Sequence, residues 1–221
     1  MFSALLCSSP LPVPALTSPA AAALCSLAAH AVVSQLWNLI SYAVDGFAAA
    51  GIVLGSRLAA QARDPRRAAS AKLHLLRLIK RTLGAGLMAG MASGAAFAVW
   101  RVDVIAAFTS DPTTIAALRD GTWAVLCLAQ PINGLVFVFD GLMYASQNFR
   151  FIRNYMLLGF AFVFCPVMAL QALLVQKLWF VWLAAAVINI WRAGGAAYLI
   201  FFIFFHDFDA QLADGEAEGA V

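Results

Sequence analysis

Asp45 and Asp140 are carboxylates set inside long apolar runs of this 221-residue chain. An ionised acid in hydrocarbon costs several kcal/mol unless it faces water, a cation or a partner, so such residues are candidates for function. Each belongs to a polar stripe. Ser34, Asn38, Ser41 and Asp45 follow one another at helical spacing, as do Asn133, Phe137, Asp140, Tyr144 and Gln147. Two such stripes suggest a wet cavity. A carboxylate there could take up and release a proton, or hold Na⁺ or an organic cation. Its occupancy would then bias which side the cavity opens to, which is the physical core of an antiporter. The structural alternative is that each Asp hydrogen-bonds a Ser or Asn on a neighbouring helix.

Other chemistries find little support. His30, His74 and His206 are far apart, and no nucleophile, phosphate-binding or metal-ligand spacing accompanies them, so an enzyme is not expected and no resident cofactor is implied beyond H⁺ or Na⁺ as coupling ion. Cys7, Cys25, Cys127 and Cys165 lie scattered through apolar segments without a CxxC pair and read as packing residues.

The elements that must position these residues follow from composition. Hydrophobic residues make up 63% of the chain and charged ones 11%, and the mean hydropathy is +0.86, far from a soluble domain. The expected fold is all-α, a polytopic transmembrane bundle of about five spans near 31–56, 82–100, 121–145, 155–176 and 179–205, each long enough to cross about 30 Å of hydrocarbon. Gly86 with Gly90 and Gly90 with Gly94 form small-xxx-small pairs, which let membrane helices approach closely. Residues 1–30 form an N-terminal segment whose apolar piece, Ala15 to Ala29, is a candidate remnant of a preceding helix. A cleaved signal competes with that reading but lacks the basic leading region, since the first charge is Asp45.

Between Arg57 and Arg81 the chain carries Arg57, Arg63, Arg66, Arg67, Lys72, Arg77, Lys80 and Arg81 against Asp64 alone, which assigns this connection to the cytoplasm. Arg150 and Arg153 mark the next cytoplasmic turn. The acidic tail over 206–221 then also falls inside, and five spans leave the N-terminus outside. Leu73, Leu76 and Ile79 interleave the charges at helical spacing, favouring an interfacial helix on membrane lipid over a nucleic-acid patch, and no nucleic-acid partner is expected.

Four ordered blocks resemble the multidrug and toxic compound extrusion (MATE) transporters. The run from Gln130-Pro131-Ile132-Asn133-Gly134 through Phe137-Val138-Phe139-Asp140-Gly141 looks like the "QPinxxxFvxDG" signature of that family's tenth helix. Ala28-Ala29-His30, Gln35-Leu36-Trp37 and Asp45-Gly46-Phe47-Ala48-Ala49-Ala50-Gly51 resemble its eighth. Phe108-Thr109-Ser110-Asp111-Pro112 resembles the "lFtxD" loop, and Trp182 and Arg192 sit at matching positions of the last helix. The variants look closer to the plant DETOXIFICATION-like and bacterial DNA-damage-inducible-F-like branch than to the vertebrate one. The resemblance implies a twelve-helix antiporter of organic solutes or xenobiotics driven by H⁺ or Na⁺, of which this chain holds most of the C-terminal lobe. It implies Asp140 as the leading ligand for the coupling ion or a cationic substrate, with Asn133, Tyr144 and Asp45 as further cavity candidates and Gln35 and Trp37 behind them. The expected partners are lipid, a small organic solute, and an N-terminal half-transporter or second copy. One departure stands out: Asn148 replaces the family's Asp at a helix end. The alternative is a non-transporting membrane subunit or an incomplete gene product lacking independent activity.

Overall fold

The computed structural model describes residues 19–62 and 64–204, and these are helical almost throughout. Helix α1 is Pro19–Gln61 and α2 is Pro65–Val99. Two short helices follow, α3 (Arg101–Phe108) and α4 (Pro112–Ala117). Then come α5 (Trp123–Ala145), α6 (Phe149–Val175, with wider turns at 160–164 and 171–175) and α7 (Leu178–Tyr198, running on through Leu199–Phe204). Five of these helices are long and apolar enough to cross a membrane. The protein is an integral, multi-pass, all-α bundle. The acidic tail and the chain before Pro19 lie outside the described residues.

Helix boundaries follow local chemistry more than hydropathy. The basic stretch does not form a separate loop: Arg57 lies in the last turns of α1, and from Pro65 the stretch is the first half of α2, continuous with the apolar second half. Arg, Lys, Leu and Ala all favour the helix, so the backbone crosses the change in polarity without a break. Likewise the apolar residues from Pro19 onward run directly into α1. At 43 residues, α1 extends about 65 Å, twice the hydrocarbon thickness.

Caps set the turns. Asp64 accepts the Arg66 N–H at 3.1 Å to start α2. The Asp111 carboxylate accepts the Thr114 N–H at 2.7 Å and the Thr113 hydroxyl at 2.6 Å, starting α4. Burial pushes this carboxyl upward, but the combined hydrogen bonds from Thr113 and Thr114 outweigh it and hold the group below the ordinary value of 3.8. The Asp of the "lFtxD" block is thus a helix cap. Asn148 accepts the Phe151 N–H at 3.3 Å and caps α6, a task Asn performs as well as the Asp it replaces. Between α4 and α5 the helix breaks at Asp120 and Gly121; Gly121 has φ +82° and lies under the Trp179 ring, so a side chain there would be both strained and crowded. Lys177 pairs with Asp120 at 2.8 Å across the same corner.

Helix α5 is the centre, packed by α1, α2 and α7. Against α2 the approach is backbone to backbone: a Cβ on Gly90 would collide with the Gln130 carbonyl, and one on Gly86 with the Gly134 carbonyl. One on Gly94 would lie 2.6 Å from the Cys127 carbonyl, which Pro131 leaves without its i+4 donor. The small-xxx-small pairs therefore do what their spacing implies. Two apolar cores flank the middle of α5. One gathers Leu75, Ile79, Val138, Leu142 and Leu199; the other gathers Val33, Leu36, Leu118, Trp123, Leu126 and Trp182.

Candidate functional site

Between the two cores α5 turns polar. Gln130 and Asn133 are fully buried, and their faces meet α7 and α2 rather than solvent. Gln130 donates to the Leu126 carbonyl of its own helix at 3.0 Å, leaving its Oε1 buried without a donor. Asn133 reaches across to α7, where Asn189 Nδ2 donates to Asn133 Oδ1 at 2.8 Å. One turn along α7, Arg192 Nη1 donates to Asn189 Oδ1 at 2.9 Å, and Arg192 Nη2 pairs with Asp140 Oδ2. The result is a closed polar chain, Asn133–Asn189–Arg192–Asp140, that leaves α5, runs along α7 and returns seven residues further down α5.

The spacing that allows this is helical on both sides. Asn133 and Asp140 lie two turns apart on one face of α5, and Asn189 and Arg192 lie i, i+3 on α7. Energetically the pair offsets two charges that would each be costly alone in hydrocarbon. It contributes little net stability, since desolvation takes back most of the Coulomb gain, but losing one partner strands the other. Asp140 and Arg192 are 17% and 27% exposed, so the pair is enclosed yet not sealed. Satisfaction is also incomplete: Asp140 Oδ1 and Asn133 Nδ2 are buried with no partner among the described residues. Buried orphans of this kind call for an explanation, and an acceptor oxygen beside a guanidinium can receive a proton or a cation.

The chain is seated by neighbours on α6. Tyr155 and Trp191 stack at 4.6 Å and exchange hydrogen bonds, each ring donor reaching the other residue's carbonyl at 3.1 Å. Gly195 gives the Tyr155 ring its room. Because Trp191 precedes Arg192, the clasp fixes the turn of α7 that presents the guanidinium.

The other residues singled out in the sequence fall elsewhere. Asp45 is exposed on α1 and has no hydrogen-bond or ion-pair partner among the described residues. Its stripe divides: Asn38 is exposed with it, whereas Ser41 is buried and donates to the Trp37 carbonyl at 2.9 Å. Gln35, off that stripe, is exposed as well. Tyr144 is 49% exposed and touches Phe149. Trp37 packs on Trp182 at 5.3 Å, with His30 on the same ring at 5.2 Å. The structure therefore joins Asn133 to Asp140 and leaves Asp45, Tyr144, Gln35 and Trp37 apart from them. Sequence reasoning passed over Asn189 altogether and used Arg192 only as a motif position. The available signal was an amide and a cation three residues apart inside the last apolar span.

The chain is 34% identical over 127 residues to Protein DETOXIFICATION 42 of Arabidopsis thaliana, covering 57% of this chain and 23% of that protein. It is 27% identical over 126 residues to Protein DETOXIFICATION 45, chloroplastic, of the same plant, covering 57% and 21%. These similarities support a MATE-like family. The aligned region spans about a fifth of the length of either relative. No family model matches the chain. No solved structure matches it.

Proposed function

We propose that this chain works as the C-terminal-lobe portion of a MATE-like secondary antiporter, exporting small organic solutes in exchange for H⁺ or Na⁺, with Asp140 as the ligand of the coupling ion. The observation that carries the reading is the Asp140–Arg192 pair across the α5–α7 seam, with the second carboxylate oxygen buried and without a partner among the described residues. The guanidinium acts as a built-in competitor. While the site is empty of coupling ion, Arg192 neutralises Asp140 and ties α7 to α5. When a proton or Na⁺ takes the carboxylate, Arg192 keeps only its bond to Asn189, and the seam loses its strongest attraction. Helix α6 moves with α7 through the Tyr155–Trp191 clasp, while the glycine contacts hold α2 on α5. An ion with different affinity for the closed and loosened seams shifts their populations, as alternating access requires.

In this reading Asp45, Tyr144 and Gln35 belong to surfaces that a companion half-transporter or second copy completes, with Asn133 inside the polar chain and Trp37 bracing α1 on α7. The basic end, residues 57–81, faces the cytoplasm, as does the acidic tail. The names of the plant relatives favour a xenobiotic or other organic solute as cargo. Membrane vesicles from cells expressing the chain, loaded with a fluorescent organic cation and given an inward H⁺ or Na⁺ gradient, test the proposal. Gradient-dependent loss of dye above that of empty-vector vesicles is expected. No gradient-dependent loss across a panel of dyes, with the chain alone and with an N-terminal half-transporter co-expressed, would sink the transporter reading in favour of a non-transporting subunit.

A further inference from the structure

The α1–α2 hairpin holds a second feature that the transport reading does not use. At the basic end, a half-open cavity of about 530 Å³ lies between the last turns of α1 and the first half of α2. Each helix lines it with one face. From α1, Leu54, Arg57, Leu58 and Gln61 line it. From α2, the same i, i+3, i+4, i+7 pattern brings His74, Arg77, Leu78 and Arg81 to it. Three arginines and three leucines thus share one pocket.

No carboxylate among the described residues pairs with Arg57, Arg77 or Arg81. Asp64, the acid of this stretch, is turned to Arg67 at 3.6 Å and to its own cap. Unpaired arginines around a concave site are built for a phosphate group, because the planar fork matches its oxygens two at a time. The lining leucines add a requirement that a free anion would not meet. Leu73 and Leu76, on the same stretch of α2, are exposed as well, so apolar side chains accompany the arginines along this part of the helix.

We infer that the cavity between α1 and α2 binds the phosphate headgroup of an anionic phospholipid, with Arg57, Arg77 and Arg81 on the phosphate and Leu54, Leu58 and Leu78 against the glycerol and upper acyl chain. The site sits at the end of the bundle away from the Gln130–Asn133 layer and does not depend on transport.

Native mass spectrometry of the full chain, released from detergent micelles containing either phosphatidylglycerol or phosphatidylcholine, reads the site directly. The wild-type chain should retain phosphatidylglycerol in preference to phosphatidylcholine. The double variant Arg57→Gln, Arg77→Gln should lower that retention about thirty-fold, two charges each being worth roughly fivefold at an anionic surface. The matched variant Arg150→Gln, Arg153→Gln, which removes the same charge from exposed positions outside the pocket, should leave it nearly unchanged. Circular dichroism checks that the variants keep their helices; if the double variant does not, Arg77→Gln alone, with a fivefold expected loss, takes its place. Equal losses in the pocket and control variants, or none in either, would overturn the proposal. So would inorganic phosphate binding with the same arginine dependence while phosphatidylglycerol is retained no better than phosphatidylcholine, because the ligand would then be a soluble phosphate.

Discussion

On its α2 side, α5 offers backbone carbonyls to glycines; on its α7 side, it offers an amide and a carboxylate to an amide and a guanidinium. The first seam is held by shape. Its attraction is the sum of many short-range contacts, present at full strength or lost together, and nothing in it responds to an ion. The second is held by directed polar bonds around one charge pair, so adding a single proton or cation changes its energy. One helix therefore combines a seam without charge and a seam whose energy a single ion changes, and in the proposed function the second is where motion is coupled to that ion.

The contrast can be attacked from either side. The largest effect is expected at the glycine seam: Gly90→Leu forces a side chain into the Gln130 carbonyl and Pro131 and should cost about 3 kcal/mol, the upper end of overpacking penalties, read as a lower thermal midpoint in detergent. Removing the cation from the polar seam comes next. Arg192→Gln strands Asp140 and should cost about 2 kcal/mol, less than a fully buried pair because water reaches both groups. Adding Asp140→Asn to that variant should return part of the loss, which a double-mutant cycle measures. If Gly90→Leu proves mild while Arg192→Gln unfolds the chain, the roles of the two seams are reversed.

Smaller effects lie outside both seams. Asp111→Ala should cost about 1 kcal/mol through the lost α4 cap. The Asp111 carboxyl is held below 3.8 in the folded chain, so its contribution is complete above that value and is lost only as pH falls through the lower folded value. Acid titration of the Asp111→Ala variant against the wild type should therefore show a constant stability difference from neutral pH down to about 4 and convergence only below it. Asp45→Asn, on an exposed side chain without a partner among the described residues, should leave stability within about 0.5 kcal/mol.

The scaffold was more legible than the site. Gly86, Gly90 and Gly94 announce a close seam because only the absence of a Cβ fits that spacing, and α5 begins and ends near the limits read from its apolar run. Helix length was less legible at α2, where hydropathy stops at Arg81 but helix propensity does not. Asp45 and Asp140 look alike in sequence, each in an apolar run and on a polar stripe. What separates them is tertiary: α7 brings Asn189 and Arg192 to α5 and nothing described to Asp45, and no local periodicity encodes which helix lies alongside.

Asp140→Asn and Asp45→Asn, compared side by side for H⁺- or Na⁺-driven export of a fluorescent organic cation from vesicles, test whether the α5–α7 chain is the coupling element. The expected result is that Asp140→Asn abolishes the dependence on the gradient, because the amide can no longer exchange Arg192 for the ion, while Asp45→Asn keeps it. Full gradient dependence in Asp140→Asn would contradict the account.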